Sequence, residues 1–183
     1  ENDGTGLEVR GDIQIDGDLD LSSSAGSGPT RGQLLLTGND DQNILGSNMN
    51  NLGVNVLEID KVSGNVFSDR VISIEDNLNL VSGILDFKRE SSGRVQLVNG
   101  ANISGGSETS YVSGLIRDEG FAQNFEIEFP VGDYRVISVD STVNVYNPCY
   151  VTPSAQSSTV EFEAEYFHEN YNPIYENPGN PPP

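Results

Sequence analysis

The chain has no tryptophan, one cysteine, one histidine and only nine lysines and arginines in 183 residues. Each shortage removes a class of chemistry. A lone Cys149 permits no intrachain disulfide, and between Pro148 and Tyr150 it reads as a small buried hydrophobe. A Ser-His-Asp or Cys-His constellation would have to use His168, and a zinc-type site has too few ligands to build from. Nine basic residues against 28 acidic ones give a formal net charge of −19. Such a surface repels nucleic acid, which needs Lys/Arg clusters to displace counterions, and it is repelled by anionic membrane. Cations, basic proteins and neutral glycans are the partners it favours. The absence of tryptophan weakens a sugar-stacking cleft, although seven tyrosines can partly substitute. No apolar run approaches membrane-spanning length, so no direct membrane insertion is expected, and no signal peptide stands at Glu1. The closing "ENPGNPPP" within 173–183 reads as a Pro/Gly linker. The chain is therefore expected to be a piece of a longer protein, with the other domains of that protein as its first partners.

What is present is alternation in short runs. Leu7/Val9, Ile13/Ile15, Leu19/Leu21, Leu34/Leu36, Ile72/Ile74, Leu78/Leu80 and Val95/Leu97 recur with period two, separated by Gly, Asn, Asp and Ser. No segment has helical periodicity. Runs this short bury an apolar face only against a copy of themselves stacked above or below. "VSGN" at Val62, "VSGI" at Val81, "ISGG" at Ile103 and "VSGL" at Val112 supply an aliphatic-Ser-Gly unit with a period of roughly 20 residues, the length of a solenoid coil. Residues 1–112 are accordingly expected to form a short right-handed parallel β-helix or a β-roll. An antiparallel sandwich is the other reading of this half, with Asn99-Gly100 as a hairpin turn.

From Phe125 the runs lengthen. Phe125, Ile127 and Phe129 share one parity against Glu126 and Glu128; Ile137, Val139, Val143 and Val145 share another. Val160, Phe162, Ala164 and Tyr166 alternate with Glu161, Glu163 and Glu165. These are strands of an antiparallel sheet with one wet face, punctuated by Pro130, Pro148 and Pro153. A solenoid end exposes an apolar cross-section and needs a cover, so 113–172 are expected to form an antiparallel, sandwich-like cap. If the glutamate strands paired directly their charges would repel. Either another strand separates them, or Arg117, Arg135 or a cation neutralises them.

"LTGNDDQNILG", "NNLGVNVLEIDKVSGNV", "LNLVSGILDF", "VQLVNGANI", "SYVSGLIRD", "FEIEFPVGDYR" and "VEFEAEYFHEN" follow in one order. That order resembles the repeat-bearing, adhesin-like surface proteins of Bacteroidota exported by type IX secretion. In those proteins, β-coils run into Tyr-Val-Xaa-Gly, Phe-Pro-Val-Gly and Tyr-Arg elements and a closing Glu-Tyr-Phe strand. The resemblance covers Gly32 to Asn172 and is carried by structural motifs. It implies secretion, display at the outer cell surface, and an adhesive or scaffolding role. The segment between Val131 and Val136 is shorter here than in the family, and no sorting domain follows Pro183.

Three small constellations are candidate sites. Asp16, Asp18 and Asp20 in "DIQIDGDLDL", with Asp40/Asp41 following, could offer oxygen ligands to calcium. Neither the calcium β-roll nonapeptide nor the EF-hand spacing is met, and solvated strand carboxylates are the simpler reading, so no cofactor is required. Ser141 in "DST" resembles the short O-glycosylation motif of secreted Bacteroidota proteins, although its parity is that of the buried face unless the strand turns there. Asn102 in "NIS" fits N-glycosylation only in a eukaryotic route. No catalytic residue is assigned. The expected function is a non-enzymatic structural or adhesive module of a larger secreted or cell-surface protein, with a glycan or protein ligand conceivable at the surface. A carbohydrate-binding or polysaccharide-cleaving β-helix, which would need two carboxylates flanking a sugar bond, and a self-assembling filament subunit are the alternatives.

Overall fold

The computed structural model describes residues 7–15, 19–20, 32–46, 52–87, 92–98, 100–119, 126–138, 141–152 and 161–167. Among them there is no helix, and eighteen strands follow in order. The first nine are β1 (Leu7–Val9), β2 (Ile13–Ile15), β3 (Leu19–Asp20), β4 (Gln33–Gly38), β5 (Gln42–Gly46), β6 (Leu52–Lys61), β7 (Val66–Ser68), β8 (Val71–Ser82) and β9 (Leu85–Phe87). The rest are β10 (Arg94–Leu97), β11 (Asn102–Gly105), β12 (Val112–Ser113), β13 (Leu115–Asp118), β14 (Ile127–Phe129), β15 (Val131–Ser138), β16 (Ser141–Tyr146), β17 (Cys149–Val151) and β18 (Phe162–Ala164).

Two sheets carry nearly all of them. One runs β1-β4-β6-β8-β10-β13-β18 with β3 beside β6 and β11 beside β8; the other runs β16-β15-β12-β9-β7-β5-β2. Up to the β12–β15 pair every described pairing between strands is parallel, and the one antiparallel contact described there is the Ser107–Ser110 bridge. The chain alternates between the sheets as it climbs, making a β-solenoid of about four turns.

Period-two alternation on parallel, in-register coils stacks like on like. Leu52, Ile72, Val95 and Ile116 form one inward column. Leu34, Leu57, Leu78 and Ile103 form a second, and Val66, Leu85, Val112 and Val131 a third on the opposite sheet. Apart from half-buried Ile103, these side chains are buried and belong to one continuous cluster. Burying a Leu, Ile or Val contributes about 1.5–3 kcal/mol. Each column is therefore a stabilising unit that no single coil could supply alone.

The aliphatic-Ser-Gly units mark coils but do not occupy one place in them. Val62 and Val81 sit at the same corner of successive coils and are exposed, whereas Ile103 faces Leu78 within a strand and Val112 is fully buried. At the Val81 corner the backbone does require glycine. Gly83 has φ +91°, and a Cβ there would lie 2.8 Å from Lys61 Cβ.

The hairpin reading of Asn99-Gly100 does not hold. β10 and β11 lie end to end along β8, pairing with Val71–Ile74 and Asn77–Leu80. β8 is long enough to carry both in parallel, so β10 and β11 do not pair with each other as a hairpin.

The C-terminal part adds three antiparallel pairs: β18 on β13, β16 on β15, and the separate ribbon β14–β17. The first two extend the solenoid's own sheets. The run "VISVDSTVNV" is two strands, not one, because Ser138 pairs with Ser141 and the chain reverses between them.

Candidate functional site

The acidic corner beside Asp40 and Asp41 already holds a cation, supplied by the chain. Lys61 is 2% exposed. Its Nζ donates to the Thr37 carbonyl (3.1 Å), the Asp40 carbonyl (2.7 Å) and Gln42 Oε1 (2.7 Å). Gln42 Nε2 in turn donates to the carbonyls of Val9 and Gly11, both at 3.0 Å. All three ammonium protons are placed, as a buried charge demands. Burial pulls the lysine pKa down, and the carboxylates of Asp40 and Asp41 oppose that fall. The neighbouring carboxylates do structural work: Asp12 Oδ1 accepts from the Asn43 amide at 2.7 Å, and Asp41 Oδ1 from the Asn65 amide at 2.8 Å. Asn65 Oδ1 accepts the Ile84 amide at 3.2 Å. Each bond clips one coil to the next.

Of the calcium candidates, Asp16 and Asp18 lie outside the described residues, and Asp20 stands opposite Gly53 in β3. Among the described residues no group of three or more His, Cys, Asp or Glu is placed to hold a metal. Ser141 is exposed, at the point where the strand reverses. His168 lies outside the described residues. Cys149 is exposed, contrary to the buried reading, because it stands on β17, whose described pairing is to β14 alone.

The glutamate strands are kept apart, and one basic residue also acts. β14 pairs with β17 and β18 with β13. Arg117 on β13 faces Glu163 directly, with Nη2 2.7 Å from Glu163 Oε1 and Nη1 3.5 Å from Glu161 Oε2. The hydrogen bond to Glu163 raises the arginine pKa further. Glu128 does not simply face water, for it is half-buried and accepts the Tyr146 hydroxyl at 2.8 Å.

Where the solenoid meets these strands the packing is tight. Tyr111 has no exposed surface, and its Oη lies 2.6 Å from Asn144 Oδ1 and 3.1 Å from the Asp133 carbonyl oxygen. A Cβ on Gly132 would fall 2.5 Å from the Tyr111 ring and 2.4 Å from the Val145 carbonyl. The Tyr-Val-Ser-Gly and Phe-Pro-Val-Gly elements thus meet as ring on glycine. Burial raises the Tyr111 pKa well above the usual phenol range; burial and then Glu128 do the same for Tyr146.

Beside this junction opens a cleft of about 290 Å³. Its aromatic lining comes from Phe67, Phe87, Tyr134 and Tyr166, with the Phe67 and Tyr134 ring centres 6.4 Å apart and tilted by 50°. Ser113 lies in its floor, where it accepts the Tyr134 amide at 3.0 Å. Asp86, Asp133, Glu165 and Arg135 add charge, with Arg135 Nη2 3.3 Å from Asp133 Oδ2. Parallel register builds the floor: outward Phe67, Asp86 and Ser113 stack on β7, β9 and β12.

No family model, no curated protein and no solved structure matches the chain. The cleft is therefore read from its own chemistry. Sequence reasoning missed it, since Phe67, Asp86 and Ser113 become neighbours only through coil register. The signal available was weak: an aromatic on the outward parity of β7, and a second in the Tyr134-Arg135 pair.

Proposed function

We propose that this chain is a non-enzymatic structural or adhesive module of a larger protein displayed at the outer cell surface or released from it. The observation that carries the reading is the use made of polar groups within the stack. Asp12, Asp41, Asn65 and Lys61 are all engaged in bonds between coils. Such bonding stiffens a scaffold. The acidic surface and the motif order that resembles type IX-exported Bacteroidota proteins support an extracellular setting. Calcium is not required in this reading.

Antibody raised against the isolated chain should label intact cells that produce the parent protein. The same chain should release no reducing ends from a panel of polysaccharides. Labelling only after lysis would sink the surface setting, and measurable cleavage would sink the non-enzymatic reading.

A further inference from the structure

We infer that the cleft between the β7–β9–β12 face and the segment following β18 is a binding subsite for a neutral glycan. This goes beyond the scaffold role, which would stand if the cleft bound nothing. Three observations select the ligand class. The first is the combination of flat apolar rings with hydrogen-bonding groups of both kinds. Phe67, Tyr134 and Tyr166 offer ring surface, Asp86 and Glu165 offer acceptors, and Arg135 offers donors. A polyhydroxyl ring both donates and accepts and carries apolar C–H faces, so it uses all three. The second is charge. A net charge of −19 disfavours an anionic polymer, while a cationic side chain has no acceptor to offer the Arg135 guanidinium inside the cleft. A neutral ligand satisfies both. The third is size, because 290 Å³ lies at the small end of ligand clefts, which run from about 300 to 1,000 Å³. That is room for one or two sugar rings of a longer chain.

The ion pair of Asp133 with Arg135 at 3.3 Å does not close the cleft to hydrogen bonding. A carboxylate has about four acceptor positions and a guanidinium five donors, so one ion pair by itself saturates neither kind of group. The pair instead fixes the guanidinium in place. Ring positions are set as well: Tyr134 is anchored through its amide to Ser113 Oγ, which leaves its ring leaning toward Phe67.

The test is titration of the whole chain, followed by NMR of aromatic protons. The probes are neutral oligosaccharides (β-1,4-glucan, β-1,3-glucan, α-mannan and β-1,4-xylan fragments), oligogalacturonate and oligolysine. At least one neutral probe should perturb the Phe and Tyr ring signals and bind more tightly than either charged probe. Phe67→Ala and Glu165→Gln should each weaken that binding about tenfold. Glu165 is exposed, and thermal melts of its amide isostere, run beside the titrations, separate a loss of binding from a folding defect. No binding by any neutral probe would overturn the assignment, as would binding that neither variant weakens. Preferred binding of oligolysine would overturn it too, and give the cleft to a basic partner. None of these results touches the scaffold reading, which the labelling and cleavage assays address.

Discussion

Tyr111 shows how much one side chain can carry at the junction. It is wholly buried, its hydroxyl proton is held by Asn144 or the Asp133 carbonyl, and burial raises its pKa well above the ordinary 10.0. In the unfolded chain that proton leaves near pH 10. Above pH 10 the unfolded state therefore binds fewer protons than the folded one, and stability falls as pH rises. Lys61 acts with the opposite sign. Its folded pKa is lowered below 10.5, so in the window beneath that value the unfolded state holds more protons and stability rises with pH. The melting temperature should accordingly drop above pH 10, less steeply in Tyr111→Phe and more steeply in Lys61→Met. Thermal scans from pH 8 to 11 check this, and a Tyr111→Phe variant with an unaltered alkaline slope would contradict it. Little of this was legible beforehand. The acids at Asp40 and Asp41 invite a cation, but nothing in the spacing says that Lys61 of the next coil delivers one.

At the scale of an element, "FEIEFPVGD" was legible in its parity and illegible in its partners. Alternation places Phe129 inward, and it is fully buried in the common cluster. Phe129→Ala should cost about 3–5 kcal/mol, a large part of a typical net stability of about 5–15 kcal/mol. Alternation also places both glutamates on the wet side, yet only Glu126 is exposed. Glu128 accepts the hydroxyl of Tyr146 from a strand that the local sequence cannot reveal as its neighbour. Urea titrations should show Glu126→Ala within about 0.5 kcal/mol of the parent and Glu128→Ala destabilised by about 1–3 kcal/mol. Equal silence of the two would mean that the Tyr146 bond contributes nothing. The glycine is a sharper case. Gly132 sits where any Cβ would strike both the Tyr111 ring and the Val145 carbonyl, whereas a Cβ on Gly11 meets nothing within 4 Å. Gly132→Ala should cost at least about 1–3 kcal/mol by overpacking, and Gly11→Ala should be nearly neutral by the same measurement.

Across the whole molecule, the problem set by a charge of −19 is that parallel stacking places like positions above one another. Strands lie about 4.8 Å apart, so an acid repeated in every coil would become a ladder of like charges. The register avoids it. Glu8 faces Leu35, Leu35 faces Glu58, and Glu58 faces Asn79. Asp60 lies between Thr37 and Ser82, Asp86 between Phe67 and Ser113, and Glu163 opposite Arg117. Composition and alternation made the outward acids and the stacked coils legible. They could not show this interleaving, because unequal coil lengths decide which residue lands over which. Asn79 is where the arrangement can be broken with the least change of shape. Its Nδ2 donates to Glu58 Oε2 at 3.1 Å, and its Oδ1 accepts from Ser104 Oγ at 2.5 Å. Asn79→Asp keeps the acceptor and turns the donor into a second carboxylate facing Glu58. Asn102→Asp adds the same charge to an exposed position opposite Asn77, with no acid in the pair. The first variant should therefore lose about 1–3 kcal/mol and the second a few tenths at most. Part of the difference is Coulombic, so it should shrink between 0.01 and 1 M salt, as the Debye length falls from about 30 to 3 Å. Equal losses in the two variants would mean that total charge, rather than the order in which coils interleave it, limits the stability of the stack.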